Sequence, residues 1–301
     1  LAIQKSLIKG LATIQEMEQL QKFTDSQEIH DIIAKAIDTV WIRANVELEN
    51  FGRFVEPYTI GLSLENQGFG TAVLCQYKSQ YFLLTAAHVG KAFRKAKSVS
   101  LLLRFDNIRR EYPPQPAKNF RVIEWDLDFD DRMLKDVLTH RPKDLAIVIP
   151  AQEILDSLTL FKAFYKIQEP QSFSLKDALI SLGGIESIYS DNHKTCQLHM
   201  GPFAFIASSY QQLPDKDYII CPVMNHTYDM RNLRRKIIDS FQGLSGSGLW
   251  KFINNTPILI GIAIAQDSVD PTLGSRNVYF HGPHSILSML FTLGGTHDHK
   301  L

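Results

Sequence analysis

Two hydrophobic rhythms divide the chain. Over the first fifty residues, Ile3, Leu7, Leu11, Ile14 and Met17 recur at three- and four-residue spacing, and Ile29, Ile32, Ile33, Ala36, Ile37 and Val40 do so again. The polar segment Thr24-Asp25-Ser26-Gln27-Glu28 between them carries helix-capping residues. The pattern predicts two amphipathic helices over residues 1–50. From about Phe54 the rhythm changes to short runs rich in β-branched and aromatic residues, each about the length of one strand. Strands are predicted at 58–64, 70–76, 80–85, 99–105, 120–125 and 145–149. A second set is predicted at 178–182, 195–198, 204–208, 218–221, 248–252, 258–265 and 277–280. Gly68-Phe69-Gly70-Thr71 supplies turn residues for a hairpin, and 284–293 reads as a closing helix. No internal repeat or low-complexity tract is visible.

Composition adds limits rather than an activity. The chain has 301 residues, 45% of them hydrophobic, so it can bury a sizeable core; its 18 Phe and 10 Tyr are ample for the interior of packed sheets. Formal net charge is zero, which argues against a broadly electrostatic nucleic-acid or membrane surface. The basic run Arg231-Asn232-Leu233-Arg234-Arg235-Lys236 is short and reads as a solvated loop or helix face. Three cysteines, Cys75, Cys196 and Cys221, form no Cys-x-x-Cys pair. Neither a disulfide framework nor a zinc site is indicated, and a reducing, cytoplasmic setting is expected. No stretch of 18 apolar residues occurs, and none has the layout of a signal peptide. Membrane attachment, metal and cofactor are therefore not expected.

Candidate chemistry lies in three segments. Phe241-Gln242-Gly243-Leu244-Ser245-Gly246-Ser247-Gly248 sets serines among glycines on a turn where main-chain amides can point inward. Tyr81-Phe82-Leu83-Leu84-Thr85-Ala86-Ala87-His88 is an apolar strand that ends in a small-residue corner and a histidine. Asp144-Leu145-Ala146-Ile147-Val148 puts an aspartate at the mouth of another strand. A serine hydroxyl becomes a nucleophile only when a base takes its proton, and the base needs a carboxylate to fix its tautomer. His88 is the candidate base, Asp144 the orienting acid and Ser245 the nucleophile. The amides of Gly243 and Ser245 are the candidate oxyanion donors. Ser247 is a rival nucleophile, but it has Ser245 rather than glycine two residues before it. Asp126, Asp128, Asp130 and Asp131 compete with Asp144 from an acidic loop. Taken alone, a histidine is usually a surface or satisfied core residue and such an aspartate a turn residue; the order of all three carries the argument.

With these local sequences, the chain resembles the trypsin-like, chymotrypsin-fold serine peptidases over residues 51–290. The Thr-Ala-Ala-His corner, the Asp-Leu-Ala strand start and Gly-x-Ser-Gly match at His88, Asp144 and Ser245. The resemblance implies a mainly β chain of two antiparallel barrels, at 51–165 and 166–301, the second with a C-terminal helix and both preceded by the 1–50 helical extension. It implies a serine endopeptidase that cleaves protein or peptide substrates through an acyl-enzyme. Asp239, six residues before the serine, stands where trypsin has its pocket-base aspartate, which implies preference for Arg or Lys before the scissile bond; a solvated loop residue is the competing reading. The strand ending Ala265-Gln266 resembles the family's substrate-pairing strand.

The chain departs from the family at several positions. Gln266 and Asn277 replace glycines of the trypsin pocket wall, so their side chains are expected to narrow or block it. Leu244 replaces the aspartate that pairs with a new N-terminus after zymogen cleavage, so that switch is absent. Restraint by a protein partner acting through the N-terminal helices is one expectation, and plain cladding of the first barrel is the other. Two other functional classes compete. One is a catalytically silent scaffold that holds a protein partner; the other is a non-protease acyl hydrolase, whose usual α/β order puts serine before histidine.

Overall fold

The β-rich runs assemble into two antiparallel sheets in the computed structural model of the chain. It describes residues 16–17, 27, 32–33, 36, 48, 50–65, 68–103, 111–125, 144–168, 174–175, 177–188, 196–212, 217–224, 226–229, 234–237, 243–267 and 275–295. The two N-terminal helices expected from the hydrophobic stripes lie outside these residues, apart from isolated positions.

The first sheet contains β1 (Thr59–Leu64), β2 (Gly68–Tyr77), β3 (Gln80–Thr85), β4 (Ser98–Leu102), β5 (Glu111–Pro116), β6 (Phe120–Trp125), β7 (Leu145–Pro150) and the short β8 (Tyr165–Lys166). Its order is β5-β4-β1-β2-β3-β7-β6, with β8 paired parallel to β2. Helix α1 (Ala87–Lys95) follows β3, and α2 (Gln152–Thr159) follows β7. The second sheet contains β9 (Ala178–Ile188), β10 (Cys196–Ile206), β11 (Ser209–Gln212), β12 (Asp217–Met224), β15 (Gly248–Ile253), β16 (Thr256–Gln266) and β17 (Ser275–His281). Its order is β10-β9-β15-β16-β17-β12-β11. A separate hairpin pairs β13 (His226–Asp229) with β14 (Arg234–Ile237), and α3 (Pro283–Gly295) closes the described chain.

The two sheets share one topology. With β5, β8 and β11 set aside, the remaining six strands of each sheet, numbered in chain order, read 4-1-2-3-6-5 in the first and 2-1-4-5-6-3 in the second. These are the same cyclic order opened at different joints. The architecture is therefore mainly β, two curled antiparallel sheets of one design, as the chymotrypsin-type resemblance implies.

Strands buried on both faces explain the continuous apolar runs. On β2, Val73 and Cys75 join a cluster with Phe82, Leu84, Leu145 and Ile147, while Ala72 and Leu74 join another with Leu62, Leu83 and Val148. The first cluster also takes Ile180, Leu182, Trp250 and Ile262 from the second sheet and Ile286, Met289 and Leu290 from α3. It thus spans both sheets, and so does the second cluster, which takes Tyr218, Ile220, Ile264 and Tyr279 from the second sheet. A third cluster, with Leu179, Phe205, Leu249, Ile260 and Phe280, fills the second sheet alone. Each such side chain contributes about 1.5–3 kcal/mol relative to exposure.

Several elements differ from the sequence expectation. The strands expected at 195–198 and 204–208 are one strand, β10, in which Gly201 pairs with Gly183 and Pro202 with Leu182. Pro202 is tolerated because β10 ends the sheet order, where a strand has a ladder on one side only. The same reasoning covers β5, an end strand with Pro113, Pro114 and Pro116 that the pattern did not reveal. Arg234 to Lys236 of the basic run pair within the β13–β14 hairpin rather than forming a loop or helix face. Helix α1 was also unexpected. It buries Val89, Gly90 and Phe93, and Gly90 lies so close to the sheet that a Cβ there would stand 2.8 Å from the Ala146 Cβ.

Candidate active site

The strand order puts the candidate histidine beside the candidate aspartate. Strands β3 and β7 are antiparallel neighbours with Thr85 opposite Ala146, so the end of one lies against the start of the other. His88 falls in the first turn of α1, whose N-cap residue Ala86 has no side chain to cap it. Asp144 supplies the cap from outside. Its Oδ1 accepts the His88 main-chain N–H at 2.9 Å, and its Oδ2 meets the His88 Nδ1 at 2.8 Å. The first bond satisfies an amide that a helix leaves orphaned, and the negative charge suits the positive end of the helix.

The two partners differ in exposure. The Asp144 side chain is 1% exposed and the His88 side chain 38%, so the ring is gripped on one edge and open on the other. Burial alone would push the Asp144 carboxyl upward. The adjoining His88 charge and its two hydrogen bonds outweigh that effect and hold it below its ordinary value. With Nδ1 donating to the carboxylate, Nε2 is the nitrogen left to accept a proton.

Ser245 sits in the turn before β15. Gly243 and Gly246 both have positive φ, 95° and 88°, which explains the glycines on either side of Leu244 and Ser245. At Gly246 a side chain is also sterically barred, because a Cβ would overlap the Thr71 carbonyl and the Thr85 hydroxyl. The turn is fastened from both sheets. Gly246 N–H donates to Ala263 O at 2.8 Å, and Thr71 N–H donates to Ser245 O at 2.9 Å. Thr71 Oγ1 donates to Gly243 O at 2.9 Å and accepts the Gly184 N–H at 3.1 Å. Thr85 Oγ1, three residues before His88, donates to Thr71 O at 2.7 Å. The histidine corner and the serine turn therefore share the Thr71–Thr85 scaffold.

Two details bear on chemistry. The N–H groups of Gly243 and Ser245 take no hydrogen-bond partner among the described residues, and neither does the Ser245 hydroxyl. The scaffold thus links the Ser245 turn to the His88 corner, and no hydrogen bond joins the two side chains among the described residues. Ser247, the rival serine, is fully buried and its hydroxyl is hydrogen-bonded to Ser181 Oγ at 2.8 Å. Ser245 is only partly buried. Cys75 and Cys221 are free and lie in different clusters, where burial raises both thiols well above their usual range.

The expected substrate strand is β16, and its end is fastened to β17. Gln266 Oε1 accepts from Arg276 Nη1 at 3.0 Å, and Asp267 Oδ2 accepts from Asn277 Nδ2 at 3.0 Å and from Tyr279 Oη at 2.8 Å. Ala265 and Gln266 are partly buried. Asp239 lies outside the described residues, as do Asp126, Asp128, Asp130 and Asp131. No described helix is long and apolar enough to cross a membrane.

Two residues of this constellation escape sequence reasoning. Thr71 looks like a hairpin residue and His281 like one of ten histidines; only pairing across the sheets gives them roles. The Gly282-Pro283 pair after His281 marks a helix start and was the one available sign that His281 occupies a junction.

No protein-family model and no curated protein matches the chain. Among solved structures it is similar to the HtrA-type protease AlgW with a tripeptide, at 15% identity over 84% of this chain and 65% of that one, with TM-score 0.46. A serine-to-alanine form of AlgW with a tripeptide gives 16% identity, 84% and 64% coverage and TM-score 0.46. An inactive serine-to-alanine mutant of Rv3671c from M. tuberculosis gives 13% identity, 82% and 92% coverage and TM-score 0.42. The chain spans a little under two thirds of the length of the AlgW chains it matches.

Proposed function

We propose that the chain is a serine endopeptidase acting through an acyl-enzyme at Ser245. The observation that carries this reading is the double grip of Asp144 on His88, by ring and by main chain, on the scaffold that also fixes the serine turn. His88 Nε2 takes the Ser245 proton as Oγ attacks the scissile carbonyl carbon. Asp144 holds the ring in the Nδ1–H tautomer and stabilises the imidazolium. The carbonyl oxygen becomes an oxyanion facing the Gly243 and Ser245 N–H groups. His88 then gives its proton to the leaving amine as the carbon–nitrogen bond breaks, and water, deprotonated by His88, releases the acyl group.

The finer parts of the proposal rest on the sequence. Asp239 selects Arg or Lys before the scissile bond, Ala265 and Gln266 pair with the substrate main chain, and residues 1–50 receive a regulatory partner in a cytoplasmic setting. Removing residues 1–50 tests the last point: an equally active, soluble enzyme would refute it.

A second reading is favoured by one observation, the absence of a bond between the Ser245 hydroxyl and His88 among the described residues. On that reading the chain is a silent scaffold for a protein partner. Labelling with a fluorophosphonate probe, with Ser245→Ala as control, separates the two. Labelling lost in the variant supports the peptidase, and a peptide series varied before the cleavage point then tests Asp239. No labelling of the parent supports the scaffold.

A further inference from the structure

The Asp144 main-chain N–H is satisfied by a histidine of the other sheet. His281, the last residue of β17, is fully buried, and its Nε2 lies 3.0 Å from the Asp144 nitrogen. An N–H can only donate, so Nε2 is unprotonated and the ring proton is on Nδ1. That side faces Ser285 Oγ at 3.1 Å and Asp217 O at 3.3 Å. The proton count closes: Ser285 Oγ donates to Asp217 O at 3.1 Å and accepts from the Asp217 N–H at 2.7 Å and from His281.

Asp217 in turn caps the closing helix. Its Oδ1 accepts the Ser285 N–H at 2.8 Å, and its Oδ2 accepts the His284 N–H at 3.1 Å and the Tyr210 hydroxyl at 2.7 Å. Gly282 is required beside it, since a Cβ there would overlap the carboxylate. The Tyr218 ring lies against the His281 imidazole with centroids 4.8 Å apart. His281 is therefore held on every side, and it passes that rigidity to Asp144, which opens β7 and has no ladder partner for its N–H.

We propose that His281 is a positioning residue for the His88–Asp144 pair, a neutral imidazole clamp by which the second sheet and α3 fix the carboxylate of the first. The proposal rests on the peptidase reading, and its test has a readout that does not. Gln at 281 places an acceptor oxygen near the Nε2 position, whereas Leu offers none. His281→Leu is expected to slow fluorophosphonate labelling about tenfold to a hundredfold, to lower kcat on a cleaved peptide with KM nearly unchanged, and to shift or broaden the downfield proton resonance of the His88–Asp144 hydrogen bond, identified by its loss in His88→Gln. His281→Gln is expected to restore rate and resonance to within about threefold and to the parental position.

Parental rate and resonance in His281→Leu would overturn the proposal. So would a His281→Gln variant as impaired as Leu, since that marks simple packing against Tyr218. Should His281→Leu not fold, Ser285→Ala, which removes the nearer of the two Nδ1 acceptors, takes its place, with a smaller slowing and the same resonance shift expected; no change would overturn the clamp. If the parent takes no label at Ser245, the peptidase reading fails, and the resonance alone decides the role of His281.

Discussion

Replacing Thr71 by Val tests how the serine turn is held. Val keeps nearly the same volume but loses the hydroxyl, which donates to Gly243 O and accepts from Gly184 N–H in a fully buried setting. Both partners are then stranded without water, at about 1–3 kcal/mol each. The added methyl recovers a fraction of that through burial, about 0.8 kcal/mol. Net destabilisation of about 1–5 kcal/mol is expected, read as a lower urea midpoint at unchanged slope. The Thr71 N–H bond to Ser245 O survives, so the turn loosens around Gly243 rather than detaching. Complete loss of an oxyanion donor costs about 10²–10³ in kcat, and a loosened one is expected to slow fluorophosphonate labelling by about 10–10². Thr71→Ser keeps the hydroxyl and is expected to lie close to the parent in both assays. A Val variant as stable and as reactive as the Ser variant would refute the assigned role.

Other outcomes follow from the same geometry. Ser245→Ala is expected to abolish labelling with an unfolding midpoint close to that of the parent, because its hydroxyl bonds nothing described. Ser247→Ala is expected to cost about 1 kcal/mol of stability through the lost Ser181 bond while labelling persists; the reverse pattern would exchange the two roles. Gly246→Ala is expected to yield little folded protein, since positive φ and two steric overlaps oppose it, and a soluble, active variant would contradict the described turn. The Asp144 carboxyl is held below its ordinary value of 3.8, so its contribution to stability is present above that pH and is lost as pH falls through the lower folded value. The stability gap between parent and Asp144→Asn is therefore expected to shrink as pH falls below that ordinary value and the carboxylate is protonated; a gap undiminished at the acid limit would reverse the assignment.

Much of the site was legible because its chemistry is local. The apolar β3 run, the Asp144 strand start and the glycine-flanked turn each have short-range signatures, and the pairing of β3 with β7 sets His88 against Asp144. Illegible were the features set by distant pairing. Pro113 and Pro114 argue against a strand until β5 is known to be at an edge. Gly201-Pro202 reads as a break until β9 pairs with it. Helix α1 has Ala86 where a capping residue is expected, and its cap arrives from Asp144, 56 residues along the chain. Gln266 and Asn277 were expected to narrow a pocket; their held positions against Arg276 and Asp267 depend on the β16–β17 register, which no local pattern encodes.

The cap that Asp144 lends to α1 has a consequence for descent. A lineage that abandoned cleavage would still need this carboxylate to start the helix, so selection for folding alone would preserve Asp144 and keep His88 in its grip. Ser245 has no such second duty, as its hydroxyl supports nothing described. On the peptidase reading, the serine would drift first among descendants of this chain, and its replacement beside an unchanged aspartate would record the moment at which an enzyme became a scaffold.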